Sequence, residues 1–329
     1  MSAIPSPMPL TRRQFLATVA ASSAALPLLR PSVALAGGRS LTVLTVGDSA
    51  LKVVLPGTIA PSSAAVLAWV QRAGDCVARW YGRFPVPTVW IEFGNTPFTG
   101  ISNGVTYGGS DPNIHISIGR HTTQADLDTD WVLVHEMTHL AFPNVAPEHH
   151  WIEEGIATYV EPWERVEAGI LDVGTAWHDF IVGVPQGQPA AGDEGLDHTH
   201  TWGRTYWGGA LFCLVADVAV LDATSGRVGL KAALLAIRDD TGGIQHAEMP
   251  IEDVLAIGDK AIGTPVIGPL YEKMKAAPAP VDLDALWSKL GVKVSGETVT
   301  VDDKAECACW RQAIARVPGH DLPSGPAGE

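Results

Sequence analysis

Residues 131–140 read WVLVHEMTHL. His135 and His139 stand four apart, with Glu136 beside the first. On a helix that spacing turns both imidazoles to one face, within reach of a single ion, and imidazole is a common zinc donor. Glu136 is rotated about 100° from His135 by the helical period. A carboxylate so placed is not a ligand itself, but it can hold and deprotonate a water at the metal. The bland alternative is a buried helix whose histidines hydrogen-bond elsewhere. Glu136 would then need its own partner, because an unpaired buried carboxylate is costly. A metal accounts for all three polar residues together.

A catalytic zinc takes a third protein donor and keeps one position open. The residues that could supply the donor lie just downstream, in EHHWIEEGIATYV at 148–160. Glu153 and Glu154 face about 100° apart on a helix. Glu148, His149 and His150 stand at the helix entrance. Thr158 lies one turn beyond Glu154, where its hydroxyl could orient a ligating imidazole or simply face solvent.

The segment WIEEGIATYVE resembles the Trp-Leu-Asn-Glu-Gly-Phe-Ala stretch of the gluzincin metallopeptidases, in particular the aminopeptidase N-like and glycyl aminopeptidase-like families. In them the glutamate before the glycine is the third zinc ligand, which the resemblance places at Glu154. Fourteen residues separate His139 from Glu154, fewer than in the aminopeptidase N-like pattern. The families also use a tyrosine in Tyr-Glu-Lys-Gly as oxyanion donor. RTYWGGALFCLVADV carries that resemblance to Tyr206, with Glu and Lys replaced and Gly209 retained, while Tyr159 is the competing tyrosine. The resemblance covers roughly residues 130–220 and implies an α+β, thermolysin-like zincin fold. In that fold a small mixed sheet precedes a mainly helical subdomain, with the active site between them. It also implies one Zn2+ per chain and a peptide or protein substrate, paired along the strand ahead of the zinc helix, for which residues 113–118 are the candidate. One family feature is missing. Between Glu92 and Glu136 there is no glutamate to grip a substrate's free amine, and Asp111 falls in a turn. Two other readings remain: a zinc hydrolase of another amide or ester, and a zinc-binding envelope protein without turnover.

The elements that must position these residues follow from local pattern. Residues 41–55 read as strands around a turn at VGDSA, 62–81 as a helix capped by Ser62, and 87–93 and 113–118 as strands. The Gly-rich stretch 100–111 reads as a loop or hairpin. Asp126, Asp128 and Asp130 precede the zinc helix, where acids favour a helix N-terminus. A second helix spans about 149–161, and residues 183–203 read as a surface loop. Helices follow at about 204–221, 226–238, 250–262, 266–276 and 282–290, then a hairpin at 291–301. The tail after 317 reads as disordered.

The N-terminus adds a separate signal. Thr11-Arg12-Arg13-Gln14-Phe15-Leu16 heads an Ala-rich apolar run that ends in Ala34-Leu35-Ala36, which resembles a twin-arginine export signal with its cleavage site. The expected organisation is a signal peptide at 1–36, an α+β subdomain at 37–123, a helical zinc-peptidase subdomain at 124–301 and an extension at 302–329. The destination is periplasmic or extracellular. The formal charge is −14, and losing 1–36 removes three arginines and no acid, which excludes nucleic acid as a natural partner. No apolar run reads as a membrane span in the mature chain, and the pattern does not address oligomeric state. Cys76 and Cys213 fall in apolar helical patterns as buried thiols, although export permits disulfides. Cys307 and Cys309, one residue apart, make a poor zinc motif. Changing Arg12 and Arg13 together to lysine is expected to strand the protein in the cytoplasm with residues 1–36 attached. Fractionation and N-terminal sequencing would show it, and normal processing of the variant would refute that export route.

Overall fold

The computed structural model of the protein describes residues 32–245 and 248–315. Most of the expected export signal and the tail after 317 lie outside the described residues. Alternating apolar residues build a six-stranded sheet. Its strands are β1 (Val33–Ala34), β2 (Ser40–Val46), β3 (Ser49–Leu55), β4 (Thr88–Thr96), β5 (Ile101–Tyr107) and β6 (Asn113–Gly119). The spatial order is β1-β2-β3-β4-β6-β5. β2 and β3 form a hairpin around Gly47, whose φ of 56° suits the tight turn. β3, β4 and β6 run parallel, and β5 returns antiparallel to β6.

The parallel β3–β4 step needs a crossover, which α1 (Ser63–Tyr81) supplies. Ser62 caps it by accepting from the Ala65 N–H at 3.2 Å. Its apolar face, from Val66 to Tyr81, buries against one face of the sheet. At Gly74 an added Cβ would sit 2.8 Å from Val46 and 3.1 Å from Leu51, so helix and sheet meet closely there. Ile114, Ile116 and Ile118 of β6 are buried, as their alternation implies.

Of the two readings of the Gly-rich stretch, the hairpin holds: β5 and β6 pair around a turn at 108–112. One expectation changes: residues 113–118 are interior, because β6 lies between β4 and β5. The free edge belongs to β5. Interior and edge strands share the same alternation, so sequence does not separate them; pairing does.

Beyond the sheet the chain is helical: α2 (Gln124–Thr129), α3 (Val132–His139), α4 (His150–Glu167), α5 (Val173–Gly183), α6 (Gly209–Ala223), α7 (Leu230–Thr241), α8 (Ile251–Ile262), α9 (Ile267–Lys275) and α10 (Leu283–Leu290). A small hairpin of β7 (Val292–Ser295) and β8 (Thr298–Val301) follows, then α11 (Ala308–Ala315). α11 packs against α4, α6 and α10, burying Cys307 and Ile314. Cys76, Cys213, Cys307 and Cys309 are all free thiols, and Cys309 alone is exposed. The 183–203 stretch is less superficial than its composition implies. Leu196 is buried, and Asp193 and Asp197 are nearly so, since Asp193 pairs with Arg204 at 2.7 Å and Asp197 accepts from Trp151 Nε1 at 2.7 Å.

α4 and α6 form the centre of the helical part. Gly203–Ala223, comprising α6 and the turn before it, is long and apolar enough to cross a membrane, but 61% of its apolar 18-residue window is buried inside the protein, as in a core helix. The two helices touch backbone to backbone: a Cβ on Gly155 would lie 2.4 Å from Gly209 Cα, and one on Gly209 2.2 Å from the Trp151 carbonyl oxygen. Only hydrogen fits at either position. Gly155→Val is therefore expected to force α4 and α6 apart and to destabilise the fold by roughly 1–3 kcal/mol, measured by denaturant unfolding. An unchanged midpoint would contradict the close contact.

Candidate metal centre

α3 is short and anchored at both ends. Asp130 accepts from the Leu133 N–H at 3.1 Å, holding the first turn. Burial drives the Asp130 pKa up to about 7, against the pull of the backbone N–H donors at Leu133 and Val132. Near the other end Thr138 donates to Glu164 Oε2 at 2.8 Å. Glu164 is fully buried, and burial pushes its carboxyl well above the usual range. This link fixes the register of α3 on α4.

With the register fixed, three donors converge. His135 Nε2 lies 3.1 Å from Glu154 Oε2, and His139 Nε2 lies 3.6 Å from the same oxygen. One donor atom from each of the three residues falls within 4.8 Å of the others. Tetrahedral zinc with bonds near 2.0–2.1 Å needs ligand atoms about 3.3 Å apart, so the spacing and the chemistry of the set fit the ion. Burial opposes charge on Glu154, yet the His139 charge and hydrogen bonds from His135, His139 and His150 outweigh it and hold the carboxyl far below its usual range. His139 mirrors this. Burial lowers its pKa, but Glu154, then Glu136 and Glu153, lift it to about 8.

Glu136 points from α3 toward the edge strand. Thr106 Oγ1 on β5 reaches its Oε2 at 2.6 Å and its backbone oxygen at 2.8 Å. β5 passes so closely that a Cβ on Gly104 would stand 2.5 Å from Glu136 Cγ. Across the site, Tyr206 sits in a π-helical turn, Gly203–Gly208, that runs into α6. Such turns are rare and frequent at functional sites. Its ring stacks on His135 at 6.3 Å, and Trp202 stacks on it from outside at 5.6 Å. Burial, and then the charges of Glu154 and Glu136, push the Tyr206 hydroxyl up, leaving it a neutral donor. Thr106, Glu136, His139, Glu154 and Tyr206 line a cavity of about 290 Å³ between β5 and the helices.

The other candidates are engaged otherwise. Glu153 also lines the cavity, but it accepts from the Val145 N–H at 3.3 Å and pairs with His150. His149 turns away to Asp197 and Tyr271. Glu148 is exposed and Asp111 is exposed. Tyr159 is buried and donates to Asp217 Oδ2 at 2.8 Å, outside the cavity lining. The buried Thr158 hydroxyl has no hydrogen-bond partner among the described residues, so it orients no imidazole here. Sequence reasoning missed Gly104 and Thr106. The alternation of Ile101, Asn103, Val105 and Tyr107 was the signal available, obscured by flanking glycines.

No protein-family model matches the chain, and no curated protein matches it either. Solved structures do resemble it. An aminopeptidase N family protein from Idiomarina loihiensis has a TM-score of 0.55 at 13% identity, over 78% of this chain and 50% of its own. A two-domain M1 zinc metallopeptidase bound to L-arginine has a TM-score of 0.48 at 12% identity, over 78% and 63% of the two chains. An M1 zinc metallopeptidase from Deinococcus radiodurans has a TM-score of 0.43 at 15% identity, over 77% and 53%. The first likeness establishes the fold, a mixed sheet followed by a mainly helical part, as expected from sequence. The chain spans half to under two thirds of the length of these proteins. The donor set is expected to take up about one zinc per chain, counted by elemental analysis. Glu154→Ala and His139→Ala should lose most of it and Glu153→Ala should keep it; the reverse pattern would reassign the third donor.

Proposed function

We propose that the protein is a zinc-dependent metallopeptidase in which His135, His139 and Glu154 hold the metal. The observation that carries this reading is the convergence of two imidazole nitrogens and one buried carboxylate beside Glu136. Zinc, when bound, supplies a Lewis acid that polarises a peptide carbonyl and acidifies water. Glu136 takes the proton from the attacking water and delivers it to the departing amine. Thr106 holds Oε2 of that carboxylate. Tyr206, kept neutral by its surroundings, donates to the carbonyl oxygen as negative charge develops on it. The free edge of β5 offers backbone groups to an extended substrate, and β5 rather than β6 lines the cavity. Export by the twin-arginine route to a periplasmic or extracellular site is part of the proposal, supported by Arg12, Arg13 and the apolar run after them. Such substrates are generally exported folded, so the metal would be loaded beforehand.

Glu136→Gln keeps size and hydrogen bonding but removes the base. Zinc and fold should persist while peptide-library hydrolysis falls by roughly 10²–10⁴. Tyr206→Phe should lower kcat by roughly 10²–10³ with KM little changed and zinc retained. A fully active Glu136→Gln protein would end the mechanism, and an active Tyr206→Phe protein would remove the tyrosine from it.

A further inference from the structure

A second hollow, of about 560 Å³, lies beside the metal centre, and its lining includes Glu148, Trp202 and Tyr206. Tyr206 lines the central cavity as well, so the two spaces adjoin at the oxyanion donor. Trp202 is 46% exposed despite its size, and its ring stacks on Tyr206. Glu148 is exposed and makes no hydrogen bond or ion pair among the described residues. His150 also lines the hollow, but its two ring nitrogens turn to Glu153 and Glu154 rather than to Glu148.

Both walls are held in place. Trp202 leads into the π turn, where buried Arg204 pairs with Asp193 at 2.7 Å. Glu148 lies in the short turn Pro147–His149, whose His149 reaches Asp197 Oδ1 at 3.1 Å. Asp193 and Asp197 belong to one loop, so the same segment braces the indole and the carboxylate. Among the described residues, no lysine or arginine lines either space, and the chain carries a formal charge of −14. An aromatic surface with an unpaired carboxylate in the same lining complements a long basic side chain: the aliphatic stem packs on the ring, and the cation meets the ring face and the anion. An apolar side chain would use the ring but strip water from Glu148. An acidic one would meet a like charge.

Building on the metallopeptidase reading, we infer that this hollow is a substrate subsite, in which Glu148 and Trp202 select a lysine or arginine flanking the scissile bond. The test gives the zinc-loaded protein a mixed peptide library and reads the cut sites by mass spectrometry. Lysine and arginine are expected at one fixed position beside the cut. Replacing that lysine by norleucine, which keeps the stem and removes the charge, should lower kcat/KM roughly tenfold, mainly through KM. Glu148→Lys, a change at an exposed and unpaired position, should turn the preference at that position toward glutamate. Trp202→Ala should reduce kcat/KM for the lysine peptide far more than for its glycine counterpart; equal loss on both, carried by kcat, would show that Trp202 only positions Tyr206 and would overturn its part in selection. Cleavage with an apolar or absent preference there, or a lysine preference that survives Glu148→Lys, overturns the subsite and leaves the metallopeptidase reading standing. A zinc-loaded wild type that cuts no library peptide ends both.

Discussion

A carboxylate charge held between helices is the constraint on which the rest of the site depends. Glu154 is 9% exposed, and a carboxylate that far from water is tolerated only with close, well-aligned partners. Here three imidazoles, from His135, His139 and His150, surround it. That arrangement requires α3 and α4 to keep one register, because a shift of a single residue would turn Glu154 about 100° away.

Several features far apart in sequence serve that register. Thr138 and Glu164 tie α3 to α4 through a buried hydrogen bond. On the far side of α4, the Gly155–Gly209 contact sets how closely α6 approaches, and so where the π turn presents Tyr206. Arg204, buried beside Tyr206 in that turn, is anchored to Asp193 in the preceding loop, and Trp151 on α4 is anchored to Asp197 in the same loop. Two buried aspartates thus link the turn and the helix that carry Tyr206 and Glu154. From the opposite direction the sheet contributes its edge. Gly104 lets β5 lie against Glu136, and Thr106 fixes one oxygen of that carboxylate.

The division of labour between sheet and helices explains why one part of the site was readable and another was not. His135, Glu136 and His139 belong to a single helical turn and its neighbour, and helical spacing is local. The glutamate–glycine pair at 154–155 is also local, and its glycine has a reason the sequence does not state: it is the point where two backbones meet. The segment that touches Glu136 was left open between loop and hairpin, and the strand assigned to the edge is interior, because both questions turn on which strand pairs with which.

By itself the sequence determined the elements, since apolar period and capping residues act within a few positions: Ser62 opens α1, the isoleucines of β6 alternate, and the two histidines share a helix face. It also determined the chemistry available, because donor types are fixed by side chains. Tertiary structure alone decided which candidates meet. Glu153, His149 and Tyr159 offer the same donor types as Glu154, His150 and Tyr206, and only the family resemblance favoured Glu154 and Tyr206; packing turns the first three toward Val145, Asp197 and Asp217. The physical reason is that a buried polar group must find a partner, and its partner is chosen by helix register and strand pairing, which join residues that local pattern cannot connect.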